Sequence, residues 1–566
     1  MQKNLAFVFL LFCLAQTESF AQSANVPLWS DYYHLLDRYE IKSGKMHDGY
    51  FSSFKPTLRQ SAAAFVDSVS NVGVFKSSSD KFNEKYLRQD NWEFFADSLE
   101  AAPQSKKPIL KYFYRTPSDA FHVQEDGIDL HVSPVFQFDV GHDANSPSTP
   151  FINTRGIVVR GRIDEKLGFY TYLTENQAVF PAYTQRWIDR WHVVPNEGFW
   201  KRFGEAGTDY ITANGYLTFS PTKHIHLQAG HDKLFVGNGM RSMFLSDFSN
   251  NYFFLRFNAK IWKFNYTNVI ARLKADVFYY NDGLLGTKEF PNKNLVMHQL
   301  NWQVTKNFNV GLFEAVMFSP EDSLRTGSFD PNYLNPFIFY RGLEQQLGSP
   351  DNVLVGFDAK WNFAHHFSAY GQFLLDELSF TNLKNKTGWW SNKYAYQLGL
   401  KWVDVANVSN LDLQLEHNYA RPYTYAHQSS YTSFTHYRQP MANPLGANFK
   451  EWVAVLRYQP IGKLQLAARA MLASQGEDTL ASNWGRNPLL PYATFEREFG
   501  NSTGQGIVTK INLVGLQASY QLLHNLFIDA RFIYRKEQQE SISLRKNDQF
   551  FGFGIRLNTD TKHHYF

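Results

Sequence analysis

Between Gln185 and Phe203 the chain sets Trp187, Trp191 and Trp200 among the cations Arg186, Arg190 and Lys201. An aromatic face stacks on the apolar C–H face of a sugar ring, and a guanidinium fork binds a carboxylate through two parallel hydrogen bonds, so this mixture suits an acidic glycan. A second group of the same kind is Trp389, Trp390, Arg421 and Tyr423, with Tyr425, Tyr431 and Tyr437. The other reading of both groups is architectural: the same rings would fold their segments onto whatever carries them. His224 and His226 alternate as metal ligands sometimes do, but any polar strand face gives that spacing. His365-His366 and His563-His564 fall in a turn and a tail, where neighbouring side chains diverge, and are read as solvated. No metal or other cofactor is inferred. No glycine-rich phosphate loop, metalloprotease helix or serine elbow is visible, and no carboxylate pair for glycoside cleavage stands out. The reading is a non-enzymatic protein with no catalytic residue.

Such residues need a scaffold, and the chain supplies one pattern repeatedly. Phe551, Phe553, Ile555 and Leu557 alternate with Gly552, Gly554, Arg556 and Asn558, and the chain ends on Phe566. Leu411, Leu413 and Leu415 oppose Asp412, Gln414, Glu416 and Asn418. Tyr394, Tyr396, Leu398, Leu400 and Trp402 oppose Gln397, Gly399 and Lys401, and Trp452, Ala454, Leu456 and Tyr458 oppose Arg457. A two-residue period describes a strand apolar on one face. Repeated over 126–566 with no long apolar helix after the N-terminus, it describes an all-β, transmembrane outer-membrane barrel of about 18 antiparallel strands. A mean hydropathy of −0.38 excludes a bundle of membrane helices, and 17% aromatic residues suits girdles at two membrane interfaces. The outer-membrane lipid is then one partner. A net charge of +4 without a basic run gives no reason to expect nucleic acid.

The connections alternate in length, as bacterial barrels require. Tight gaps near 163–166, 221–223, 305–307, 460–463 and 523–525 read as periplasmic turns. Long gaps near 174–209, 231–251, 274–294, 318–351, 378–392, 421–449 and 474–507 read as extracellular loops. An even strand count puts both chain ends in the periplasm. Residues 1–21 read as a signal peptide: Lys3 precedes the apolar run Leu5 to Ala15, and Ser19-Phe20-Ala21 suits cleavage before Gln22. Cys13, the only cysteine, lies inside that run, so the mature chain has no thiol or disulfide. Residues 22–125 read as a periplasmic helical region. Ser30 is placed to cap a helix through Leu36, Pro56 to open one through Val69, and Ser79 to cap one through Phe95, with breaks at Gly44, Gly49 and Pro103 to Pro108. Short helices of this kind need a surface to pack on, and the barrel's periplasmic mouth is the obvious one.

One segment goes beyond composition. Gly230 to Asp247 contains Gly237-Asn238-Gly239-Met240-Arg241-Ser242-Met243-Phe244-Leu245-Ser246-Asp247, which resembles the G-[DN]-G-x-R-S-[LM]-x-L-S-D signature of capsule-assembly Wzi-like proteins, with RemB-like gliding-motility proteins as the nearest relatives. Asn153-Thr154-Arg155-Gly156, Phe169-Tyr170, Thr174-Glu175-Asn176-Gln177 and Leu36-Asp37-Arg38 to Ser43-Gly44 share the resemblance. It implies an outer-membrane barrel with a periplasmic helical bundle that acts as a lectin and holds capsular polysaccharide at the surface. Gly237 and Gly239 permit a tight backbone path, while Arg241, Ser242, Ser246 and Asp247 either bind a ligand or pin the loop inside the lumen, pinning being favoured. Three functions follow as expectations: retention of surface polysaccharide, a gliding-motility component with motility or envelope proteins as partners, and a diffusion channel.

Overall fold

In the computed structural model residues 23–566 are described except for 29, 48–50, 96–104, 106–108, 110–111, 277–290, 320, 323–324, 327–330, 336–338, 343–350, 480, 540–542 and 563. The expected signal peptide, Gly49, most of the Pro103 to Pro108 break, parts of the expected loops 274–294 and 318–351, and His563 lie outside the described residues.

An 18-strand antiparallel barrel forms the body of the protein. Its staves are β1 (Ile128–Asp143), β2 (Phe151–Ile163), β3 (Leu167–Val179), β4 (Gly207–Thr222), β5 (Ile225–Asp232) and β6 (Tyr252–Ile261). There follow β7 (Phe264–Lys274), β8 (Asn292–Thr305), β9 (Phe308–Phe318), β10 (Asn352–Phe363), β11 (Phe367–Glu377) and β12 (Lys393–Trp402). The last are β13 (Leu411–Ala420), β14 (Phe449–Ile461), β15 (Leu464–Glu477), β16 (Ile507–Leu523), β17 (Leu526–Gln539) and β18 (Leu544–Leu557). β18 closes on β1 from Phe550↔Asp143 to Leu557↔Phe136, which leaves no sheet edge to satisfy in lipid.

The alternation read from sequence is the alternation of the wall. On β13, Leu415 is exposed while Asp412, Glu416 and Asn418 are buried; on β18, Phe551 and Phe553 are exposed against buried Arg556. Aromatic side chains gather at both ends of the outer surface. At the short-turn end Trp361, Phe363, Phe367 and Trp402 stand ring against ring, with centroids 4.5, 5.4 and 5.4 Å apart. Toward the long-loop end Tyr396 stacks on Tyr419 at 4.9 Å. Between these belts the outer face carries Leu398, Leu400, Leu415 and Leu456. An apolar band between two aromatic girdles is the surface a bilayer selects.

Three helices, α1 (Ser30–Ser43), α2 (Arg59–Asn71) and α3 (Ser78–Asp90), sit inside the short-turn end. α3 is capped by Ser77, not Ser79: the Ser77 hydroxyl accepts from the Asp80 backbone N–H while the Asp80 carboxylate returns a bond to the Ser77 N–H. Leu36, Tyr39, Phe65, Val66 and Leu87 form their common core, each such burial contributing about 1.5–3 kcal/mol. The polar faces meet the inner wall in paired charges. Asp37 bridges Lys401 at 2.5 Å and Lys360 at 3.5 Å, Glu40 reaches Lys360 at 2.5 Å, and Arg38 pairs with Asp404 at 2.6 Å and with Asp412. Buried charge is tolerable only when paired in this way.

The last stave stops at Leu557, and the remaining residues turn back into the lumen rather than extending the wall. Phe566 is buried there, with its carbonyl accepting from Arg535 Nε at 2.9 Å. His564, read from sequence as solvated, is buried, its ring 5.5 Å from that of Phe180. The correction has a physical cause: a polar lumen accepts a polar tail, and periodicity within the tail carries no sign of that long-range contact.

Candidate functional site

The segment after β5 enters the lumen and is fastened along its length. Gly237, at φ +145°, a conformation that side chains rarely adopt, donates its N–H to the Ser53 carbonyl at 2.7 Å. The short strand Phe54–Lys55 pairs with Phe235–Val236, tying the helical region to this loop. A Cβ on Gly239 would stand 2.6 Å from Gln397 Oε1 and collide with the Glu416 carboxylate. That bare backbone lets Glu416 accept from the N–H groups of Met240 at 2.8 Å and Arg241 at 3.1 Å. The Arg241 guanidinium spans Glu451, with Nη2 and Nε 3.1 and 3.2 Å from Oε1, and also donates to the Tyr565 carbonyl. Glu451 Oε2 accepts from Asn418 and Asn443, both at 2.9 Å. The Ser242 hydroxyl donates to the Val236 carbonyl at 2.5 Å, and Ser246 N–H to Met441 O at 2.7 Å. Phe244, fully buried, stacks on Phe313 at 4.5 Å.

Asp247 instead lines a lumenal cavity of about 330 Å³ together with Lys233, Glu197, Lys562, Thr212 and Tyr172. Lys562 on the C-terminal tail pairs with Glu197 at 2.9 Å. Burial lifts the Glu197 carboxyl, and Lys562 and Lys233 reverse that effect, holding it below its ordinary range.

The first aromatic group is gathered by α4 (Ala182–Trp191), which ends at His192 in the left-handed conformation. α4 follows β3, and from it Arg186 Nη1 meets Asp548 on β18 at 3.1 Å and Arg190 meets Glu477 at the end of β15 at 2.8 Å. Trp187 packs on Phe248 and Phe566, with centroids at 5.8 and 5.5 Å. The Trp191 ring centroid is 5.1 Å from the Arg190 guanidinium and 5.8 Å from that of Arg486. Trp200 is half-buried against Ile152, Phe180 and Ile188. In the second group Trp390 stacks on Phe495 at 4.7 Å and lies beside Trp389 at 6.3 Å and Tyr423 at 6.1 Å. Tyr423 is buried, its hydroxyl donating to Asn483 O at 2.9 Å, and Arg421 Nη2 donates to Asn501 O at 3.3 Å.

The two groups sit on different loops, and the β15–β16 connection joins them: Arg486 covers Trp191, while the neighbouring Gly485 carbonyl accepts from Tyr423 N–H at 2.9 Å. Sequence reasoning missed the receiving side chains, Glu416, Glu451 and Asp548. Their signal was an inward carboxylate on a stave, which must find a partner. His224 and His226 do not converge. His224 is exposed, with Nδ1 2.9 Å from Lys260 O, while buried His226 has Nδ1 3.0 Å from Ser220 Oγ.

No protein-family model and no curated protein matches this sequence. Among solved structures, the chain is similar over 96% of its length to all of Wzi from Escherichia coli, with a TM-score of 0.57 and 12% identity. The chain has a Wzi-like barrel fold. Wzi is described as an outer membrane protein involved in group 1 capsule assembly and as a carbohydrate-binding β-barrel. OprD of Pseudomonas aeruginosa aligns over 76% of this chain and 94% of its own at a TM-score of 0.42 and 11% identity. OccAB2 of Acinetobacter baumannii covers 76% and 97% at a TM-score of 0.42 and 10% identity.

Proposed function

We propose that this is a non-enzymatic outer-membrane surface protein that binds and retains capsular or other surface polysaccharide, with its long loops outside the cell and its helices on the periplasmic side. The observation that carries the reading is the interlocked roof of long loops over a filled lumen. Trp191, Trp389 and Trp390 are half-buried in that roof rather than enclosed, and the Arg190 side chain is 44% exposed beside Trp191. Half-open indoles next to guanidinium groups suit stacking and carboxylate binding by an acidic sugar. The carbohydrate binding described for Wzi agrees with it. Several weak loop contacts along one polymer would give retention by multivalency, with no covalent step.

The filled lumen speaks against the diffusion channel. Helices, the Gly237 to Asp247 loop and the C-terminal tail occupy the space that an 18-strand wall would otherwise leave to water. Planar-bilayer recording separates the two: silence supports a sealed anchor, and large steady openings refute it. The site is tested by Arg190→Ala with Trp191→Ala. Binding of acidic polysaccharide to intact cells should fall about tenfold while barrel assembly is unchanged. Unchanged binding would remove this group from the site. Deleting the gene and scoring bound against released polysaccharide, with colony spreading on the same cells, tests the retention reading against the gliding-motility one.

A further inference from the structure

We propose that His122, Asp129 and His131 hold a divalent transition-metal ion of zinc's class at the short-turn end of the barrel. His122 lies on a short strand, Phe121–Glu125, that folds back on the start of β1. In that pairing His122 stands directly opposite His131, and Asp129 follows two residues away on the same face as His131. The three side chains therefore converge by register, as adjacent residues in a turn or an isolated alternating pair cannot.

The geometry is that of a ligand set. His122 Nε2 is 2.8 Å and His131 Nε2 3.2 Å from Asp129 Oδ1, and all three ligand atoms lie within 4.8 Å of one another. Ligand atoms around a tetrahedral zinc, with bonds of about 2.0–2.2 Å, stand about 3.3 Å apart. Two of the ligands, His131 and Asp129, also have a second partner. The other nitrogen of His131, Nδ1, lies 3.1 Å from Asp119 Oδ1, the pairing of groups from which a carboxylate orients a metal-bound imidazole. Asp119 is itself fixed by Trp92 Nε1 at 2.9 Å and Ser118 Oγ at 2.7 Å. Arg162 Nε occupies Asp129 Oδ2 at 2.9 Å, leaving Oδ1 for the ion.

The Trp92 ring covers the pair, 4.9 Å from His122 and 5.8 Å from His131. Only His122, with 18% of its side chain exposed, faces an approach path. Three protein ligands and one open position fit zinc and its neighbours, while two imidazoles disfavour calcium and magnesium. The ion would staple the Phe121–Glu125 strand to the wall beside the helical region. The competing arrangement is a proton-bridged knot, in which His131 carries protons on both nitrogens to serve Asp119 and Asp129. The two differ by one countable ion.

The test uses full-length protein extracted from outer membranes, stripped with chelator and then equilibrated with micromolar free zinc in excess calcium and magnesium. Metal is counted by mass spectrometry after gel filtration. One zinc per chain is expected, and none in His131→Asn. Asp119→Asn should weaken retention by about 10- to 100-fold. His122→Asn, on a short strand that is not one of the 18 staves, keeps the test valid if His131→Asn fails to assemble, and it too should lose the ion. No bound zinc in the unaltered protein, or zinc kept by an assembled His122→Asn protein, would overturn the site.

Discussion

Replacing Arg241 by Met isolates what pins the lumenal loop. Arg241→Met keeps the length of the side chain but removes the guanidinium, leaving Glu451, which has no exposed surface, facing only the amides of Asn418 and Asn443. Removing one member of a buried ion pair costs about 3–5 kcal/mol, because the remaining charge stays desolvated. At about 1.4 kcal/mol per factor of ten, the ratio of released to pinned loop should rise by two to nearly four orders of magnitude. The wall need not change, since its ladder from β1 to β18 is continuous without this residue. The assay places a cysteine at Met243, a buried apolar site on the same loop, and measures its reaction rate with a membrane-impermeant maleimide. Labelling in the Arg241→Met background should be at least about 100-fold faster, with unchanged heat-modifiable migration of the barrel. Adding Glu451→Gln should recover part of the loss, because the orphaned charge is removed. If labelling stays slow in an assembled Arg241→Met barrel, Arg241 does not hold the loop and the pinning argument fails.

Further outcomes follow from the same contacts. Gly239→Ala should destabilise the loop and speed the same labelling reaction, since the added carbon meets Gln397 Oε1 at 2.6 Å and the Glu416 carboxylate; wild-type protection would show that the backbone can yield. Phe244→Ala should lower the thermal unfolding midpoint, with about 3–5 kcal/mol lost from the cavity left against Phe313, and an unchanged midpoint would show that the space refills. The helical region should loosen in acid. Burial raises the Asp80 carboxyl, but Arg38 and Lys42 outweigh this and hold it at about 2 against an ordinary 3.8. Because the folded value is the lower one, this stabilisation, about 2 kcal/mol, is complete above pH 4 and lost as pH falls from 4 toward 2. Protease release of residues 30–90 should rise across that window; flat sensitivity would refute the assignment.

The wall was legible because its cause is local. Whether Leu415 or Glu416 faces lipid depends only on the parity of neighbouring positions, and the turn residues at 163–166 and 523–525 punctuate the chain where β2 meets β3 and β16 meets β17. The Gly237 to Asp247 motif marked a backbone needing special conformations, and Gly237 has one. The helix starts were legible to within a few residues, with Ser77 in place of Ser79 because the capping box needs Asp80 three positions on.

The contents of the lumen were not legible, for the opposite reason. Arg241 with Glu451, Arg38 with Asp412, and Lys562 with Glu197 join residues far apart in the chain, and no period or composition connects them. The sequence by itself determined which face of each strand meets lipid, since the bilayer acts on every residue in the same way. Only the tertiary structure decided which inward charges meet and whether His564 is solvated or buried, because those contacts exist only once the barrel has closed around them, whereas the approach of His122 to Asp129 and His131 is set by the register of one local hairpin.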